Sequence, residues 1–449
     1  MFDLAIMGGC IYQHQTWTST NAYIQAGKIA AITDKYLEST KKIDAQGLRV
    51  IPGLIDAHVH LAMNSGQFMT ADDFETGSQA AAFGGVTTLI DFLDEQNEPA
   101  AMQKEFLRKR RLAKNCHIDF GLHAAITDLN DFSAEEMAQI ALKIGSPTIK
   151  LYTTYKPFSY SSPETVAKMV KRSGRGDILI LCHAEKDELL QFDQDSISFL
   201  AENRPALAEN EEIREIAQLV RHYRGWAYIV HTSCGSSIEM LKAIDADLLN
   251  SHLFLEGCPQ YFLFNSTIYQ GDQASLYSLT PPLRTEAEKQ LLSQNWRNLA
   301  VFSTDHCPFP LLAKSGDRIS QLPMGIGGLE RSFGLMYSLF GDAVINRLTC
   351  NPAILHGLYP RKGVIRVGSD ADFCIFHDTE FHPYGTEHSA CDYSIYADIP
   401  VNSQIDYVIS SGEVIINRGV FAGTRGNFQP RSLDCRLFNK YIEFESRSL

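Results

Sequence analysis

A chain of 449 residues is too long for one small core and points to a large unit with a smaller companion, or to two units of similar size. A hydrophobic fraction of 45% and a charged fraction of 21% are ordinary for a soluble globular protein. The formal net charge of -13 argues against nucleic acid and anionic membranes as partners, because both need a basic face.

The opening MFDLAIMGGC has no basic segment and carries Asp3, so it does not read as a secretory signal, and no apolar run is long enough to span a bilayer. Ten cysteines are scattered singly rather than in CxxC pairs, which favours reduced thiols and a cytoplasmic location.

In chain order, FDLAIMGGCIY, NAYIQAGKIAAIT and KKIDAQGLRVIP alternate apolar and polar residues between glycines and read as short strands. DDFETGSQAAAFGG reads as a helix opened by Asp72 and closed by Gly84 and Gly85. Then follow compact apolar runs: VTTLIDF, HIDFGLHAAI, PTIKLY, DILILCHAE, WAYIVHTS, HLFLEGC and LAVFSTDHC. Most are separated by helical stretches such as LAENEEIREIAQLVRHYR. Strands alternating with helices over this length predict an α/β protein whose core is a (β/α)8 TIM-type barrel. The rival open doubly wound sheet lacks its GxGxxG signal. KGVIRVGSDADFCIF and IDYVISSGEVIINRG return to the style of the first residues. The expected organisation is a small β-sandwich domain assembled from residues 1–52 and 362–449, flanking a barrel over 53–361.

Chemistry is first suggested by PGLIDAHVH, Pro52 to His60. Residues two apart on a strand share a face, so Asp56, His58 and His60 project together. The two imidazoles suit a borderline metal such as zinc, with Asp56 placed to orient one of them; on the spacing alone, a pair of ordinary histidines near a turn is an equal reading. His183, His231 and Asp305 each end an apolar run, where a barrel gathers its catalytic groups. Singly, such residues are more often packed in a core; together with the HxH they point to a metal site. Lys150 lies within TIKLY, where a buried cation is costly. It either snorkels to the surface or stays neutral, and a neutral amine can combine with carbon dioxide to give a carbamate.

PGLIDAHVH, AAAFGGVTTLIDF, IKLYTTYK, LCHAE, VHTSC, EGCPQYF, PPLR, STDHCP and GLYPRKGVIRVGSDADF stand in one order. Together they resemble the dihydropyrimidinase and hydantoinase branch of the cyclic amidohydrolases, over about residues 3 to 420. The resemblance implies a barrel with a terminal β-sandwich, usually in a homotetramer. It further implies two divalent ions, zinc foremost with manganese, cobalt or nickel as alternatives. His58, His60 and Asp305 would hold one ion, His183 and His231 the other, and carboxylated Lys150 would bridge them. All six positions are intact, which weighs against a non-catalytic scaffold of the same fold.

The implied reaction is hydrolysis of a ring amide to an N-carbamoyl amino acid by a metal-bridging hydroxide. Asp305 serves as general base, and Tyr155, five residues after Lys150, donates to the oxyanion. A loop tyrosine covering the barrel mouth is the plainer reading of Tyr155. Thr280 and Met324 fall in SLTPPLR and LPMGIGG, the loops that would bind the imide edge; relatives often carry Ser and Asn there. Dihydroorotases typically place an arginine two residues after the HxH, where this chain has Ala62, and allantoinases usually carry His where it has Gln260. Both departures favour a neutral dihydropyrimidine or a 5-substituted hydantoin, with allantoin the alternative substrate. The ring substituent is expected near Met63, Ser65, Leu93, Tyr152 and Phe158.

Overall fold

The computed structural model describes residues 1–13, 15–130 and 132–441. Eight parallel strands form its centre, each neighbouring the next along the barrel: Leu54–Val59, Val86–Phe92, Asp119–Ala125, Thr148–Tyr152, Leu179–His183, Ala227–Ile229, Leu253–Gly257 and Val301–Phe302. The segment after the last strand meets the first strand through a parallel bridge of Val59 with His306, where the His60 amide donates to the His306 carbonyl across 2.8 Å. The barrel foreseen from the strand–helix alternation is therefore present, and nearly closed.

The strand sequences show why. Val86–Phe92 and Asp119–Ala125 are buried at every position, as strands covered on both faces must be, which is why they read as continuous rather than alternating apolar runs. The helices between them carry their own start signals. Ser133 caps Ala134–Lys143 in a reciprocal pair with Glu136, and Ser162 caps Pro163–Ser173, whose proline stands in the first turn. Asp73, not the expected Asp72, caps Phe74–Phe83 through the Glu75 and Thr76 amides. Asp72 is fully buried instead and accepts from His306 Nε2 at 2.9 Å, which anchors the loop after the last barrel strand.

Both ends of the chain share a second sheet of nine strands. Arg49–Pro52, the last strand before the barrel, pairs antiparallel with Phe373–His382, the first after it. Leu4, Ile6, Ile11, Ile24, Val50, Phe373 and Ile409 fill a separate apolar core there. The two units are bolted by Lys362, whose buried ammonium lies 2.7 Å from Asp119 of a barrel strand, 2.6 Å from Asp372 and 3.2 Å from Asp370. Among the described residues no helix is long and apolar enough to cross a membrane.

Candidate active site

The carboxyl ends of the barrel strands converge on one cavity of about 500 Å³. His58, His60, Lys150, His183, His231 and Asp305 all line it, as do Met63, Tyr152, Tyr155, Thr280 and Met324. Residues spread over more than 260 positions of sequence thus meet because each lies in, ends or follows a strand of the same barrel.

Asp305 Oδ1 lies 3.1 Å from His58 Nε2 and 3.1 Å from His60 Nε2. Burial alone would raise the Asp305 carboxyl, but His58 and His60 beside it hold it well below the usual carboxylate range. Across the mouth, His183 Nδ1 faces His231 Nε2 at 3.0 Å. Lys150 is buried between them and the aromatic rings, its Nζ 5.2 Å from the Phe92 centroid and 4.9 Å from that of Tyr152. Burial lowers its amine to about 8, despite the opposing pull of Asp305 and Glu256. Tyr155 Oη is 2.6 Å from Thr280 Oγ1 and 3.5 Å from His183 Nε2. Three of these residues sit in the left-handed backbone region, with φ of 76° at Tyr155, 38° at His231 and 54° at Asp305. Such conformations cost energy for non-glycine residues and persist where surrounding structure enforces a functional geometry.

Two carboxylates that the sequence reading did not single out set the imidazole orientations. Glu256, in the middle of the apolar run HLFLEGC, accepts from His58 Nδ1 at 2.7 Å, from Tyr228 Oη at 2.7 Å and from the His231 amide at 2.9 Å. Glu185, two residues after His183, accepts from His183 Nε2 at 2.7 Å and is paired with buried Arg204. The signal for Glu256 was its place, since a carboxylate inside an apolar strand needs a buried partner. Asp56 has a different task from the one expected of it. It accepts from the His58 and Thr304 amides and from the Thr304 hydroxyl at 2.7 Å, tying the first barrel strand to the segment after the last.

Two further expectations shift. Leu93 packs into the apolar core, while Glu95 lines the cavity; the side chain of Ser65 lies outside the described residues. Gln260 is fully buried, accepts from Tyr396 Oη at 3.1 Å and does not line the cavity, so its identity bears on substrate choice only indirectly.

The donor set fits divalent ions. One ligand atom each from His58, His231 and Asp305 falls within 4.8 Å of the others, and buried His231 Nδ1 has no hydrogen-bond partner among the described residues. With Glu256 holding the proton on Nδ1 of His58, its Nε2 lone pair points into the cluster.

A barrel with histidines and an aspartate at its carboxyl mouth defines a metal-dependent hydrolase architecture. The chain belongs to the amidohydrolase family, whose pattern matches residues 49–415. It is 30% identical to a D-hydantoinase of Streptomyces coelicolor over 95% of this chain and 97% of that one. It is also 30% identical to a D-hydantoinase of Geobacillus stearothermophilus, over 91% and 93% of the two chains. Among solved structures, a dihydropyrimidinase from Brevibacillus agri superposes with a TM-score of 0.88 at 26% identity, covering 95% of this chain and 98% of the other. This protein is a cyclic amidohydrolase, of a family that implies a divalent metal centre.

Proposed function

We propose that this enzyme opens a neutral cyclic ureide or imide, a 5-substituted hydantoin or a dihydropyrimidine, to an N-carbamoyl amino acid. The observation that carries this reading is the convergence of Asp305, Tyr155, Thr280 and Met324 on one cavity beside the imidazole cluster. No arginine lines that cavity among the described residues, which supports a ring without a carboxylate.

His58, His60 and Asp305 would hold one divalent ion and His183 with His231 the second; Lys150, carboxylated on its amine, would link the two. Imidazole and carboxylate donors make zinc the first choice, with manganese, cobalt or nickel also suited. When bound, such ions supply Lewis acidity to the attacking water and to the ring carbonyl. The protein's own groups do the rest. Asp305 takes the proton of the attacking water and returns it to the departing ring nitrogen. Tyr155 donates its hydroxyl to the oxygen that gains charge, and Thr280, bonded to that hydroxyl, fixes its direction. Backbone groups near Thr280 and Met324 hold the imide edge, and Met63 and Tyr152 exclude water from the reacting bond.

The ten free cysteines support a reducing cytoplasm, and the family resemblance supports a homotetramer. The test is a panel of dihydrouracil, substituted hydantoins, allantoin and dihydroorotate, with metal per subunit measured on the same preparation. No ring opening by metal-replete protein sinks the proposal. Turnover confined to allantoin moves the substrate and leaves the chemistry.

A further inference from the structure

The same cavity carries an acidic group that the ring-opening chemistry does not use. Glu95 follows the strand Val86–Phe92 and lines the same cavity as Met63, Tyr152, Phe158 and Ser159, the last of which donates to its carboxylate. Its neighbour Asp94 is paired with Arg108 at 2.7 Å. Glu95 has no such partner: among the described residues no cation lies within ion-pair distance, its carboxylate accepts from the Ser159 hydroxyl and its own amide, and the Lys150 ammonium acts on it only from farther off. Burial pushes its carboxyl above the ordinary range, the direction that a facing cation reverses.

The cavity's other lining residues sharpen the point. Lys150 is the one Lys or Arg among them, and carboxylation would turn that positive charge into a negative one. The lining residues named with Glu95 are otherwise uncharged: Phe158, Tyr152, Gln67, Ser159 and Met63. A purely apolar ring substituent placed here would desolvate a carboxylate without compensating it, and an acidic one would be repelled. An ammonium or guanidinium on a short alkyl arm would instead gain a charge-assisted hydrogen bond, with aromatic faces beside it.

We propose that Glu95 is the specificity-determining residue of the substituent pocket, selecting rings whose side arm ends in a cation. This rests on the ring-opening function proposed above and narrows its substrate class. The product would be the N-carbamoyl form of an amino acid with a basic side chain.

The experiment compares hydantoins bearing aminobutyl, butyl or carboxyethyl arms, using the metal-loaded full chain. The expected kcat/KM for the aminobutyl ring exceeds that for the butyl ring about tenfold or more, with the carboxyethyl ring last. Glu95→Gln should bring the first two together, chiefly through KM, and Glu95→Lys should move the preference toward the carboxyethyl ring. That inversion is a gain, which a misfolded variant does not produce. A wild-type preference for the butyl ring, or a ratio indifferent to Glu95→Gln, overturns the proposal. Calorimetric binding of the aminobutyl and butyl rings to wild type and Glu95→Gln separates the two readings. Glu95-dependent binding without turnover keeps this inference and removes the ring-opening one; turnover with no Glu95 dependence does the reverse.

Discussion

The His58 imidazole donates from Nδ1 to Oε1 of Glu256 across 2.7 Å, with both side chains buried. Glu256 thus decides which nitrogen faces the cluster. Replacing it with the isosteric Gln keeps the volume and removes the charge. The expected loss is about 10- to 100-fold in metal affinity or activity, read as metal per subunit and kcat with the circular dichroism spectrum unchanged.

Lys150 is the proposed link between the two ions, so its loss should cost metal as well as rate. Lys150→Ala is expected to retain at most one ion per subunit and to lose activity. Wild type stripped by a chelator should regain activity with zinc, manganese, cobalt or nickel, whereas Lys150→Ala should not. A signal from labelled carbon dioxide on the wild-type lysine checks the carbamate itself. A Lys150→Ala enzyme with two ions and full activity disproves the bridge.

Tyr155 bonds to Thr280 at 2.6 Å and is aimed at the cluster from a left-handed backbone position. Tyr155→Phe keeps the ring and removes the donor. A donor that acts on developing charge is worth about 10²- to 10³-fold in kcat, with a small change in KM. A large rise in KM at unchanged kcat would assign Tyr155 to ground-state binding instead.

Lys314 ties the two loops of the imide edge together. Its buried ammonium donates to the Ser278 carbonyl at 2.8 Å, the Ser278 hydroxyl at 2.7 Å and the Pro323 carbonyl at 2.9 Å. Burial lowers it to about 7. Because the folded value lies below the unfolded one, the folded chain sheds this proton first as pH rises. Its contribution to stability therefore grows from pH 7 upward and is lost as pH falls back through 7. Lys314→Met should erase a gain of about 2 kcal/mol between pH 7 and pH 9, read from denaturant midpoints. It should also raise KM, since Thr280 and Met324 lie on the two loops it joins.

Lys362 faces Asp119, Asp370 and Asp372 between barrel and terminal sheet. Lys362→Met leaves Asp119 and Asp372 without their cation, while Asp370 keeps Lys28, at an expected cost of about 3–5 kcal/mol. Adding Asp372→Asn should recover part of that loss. Denaturation followed separately by near-ultraviolet signals and by activity shows whether the two units then unfold apart.

By itself, the sequence determined the barrel and the gathering of His58, His60, Lys150, His183, His231 and Asp305 at one mouth. The reason is local: a buried parallel strand has to be a short apolar run, and whatever polar residue ends it projects at the carboxyl face of the barrel. The tasks of the neighbouring carboxylates were decided only by tertiary structure. Asp56 stands two residues from His58 yet binds backbone and Thr304, while Glu256, 198 residues away, holds the imidazole. Asp72 stands beside a helix start yet secures His306, and Asp73 does the capping. The same holds for Glu95 and Leu93, of which the charged one faces the cavity and the apolar one the core. Periodicity places a residue on its own element; which side chain across the barrel it meets depends on how distant strands register, and that is fixed when the barrel closes.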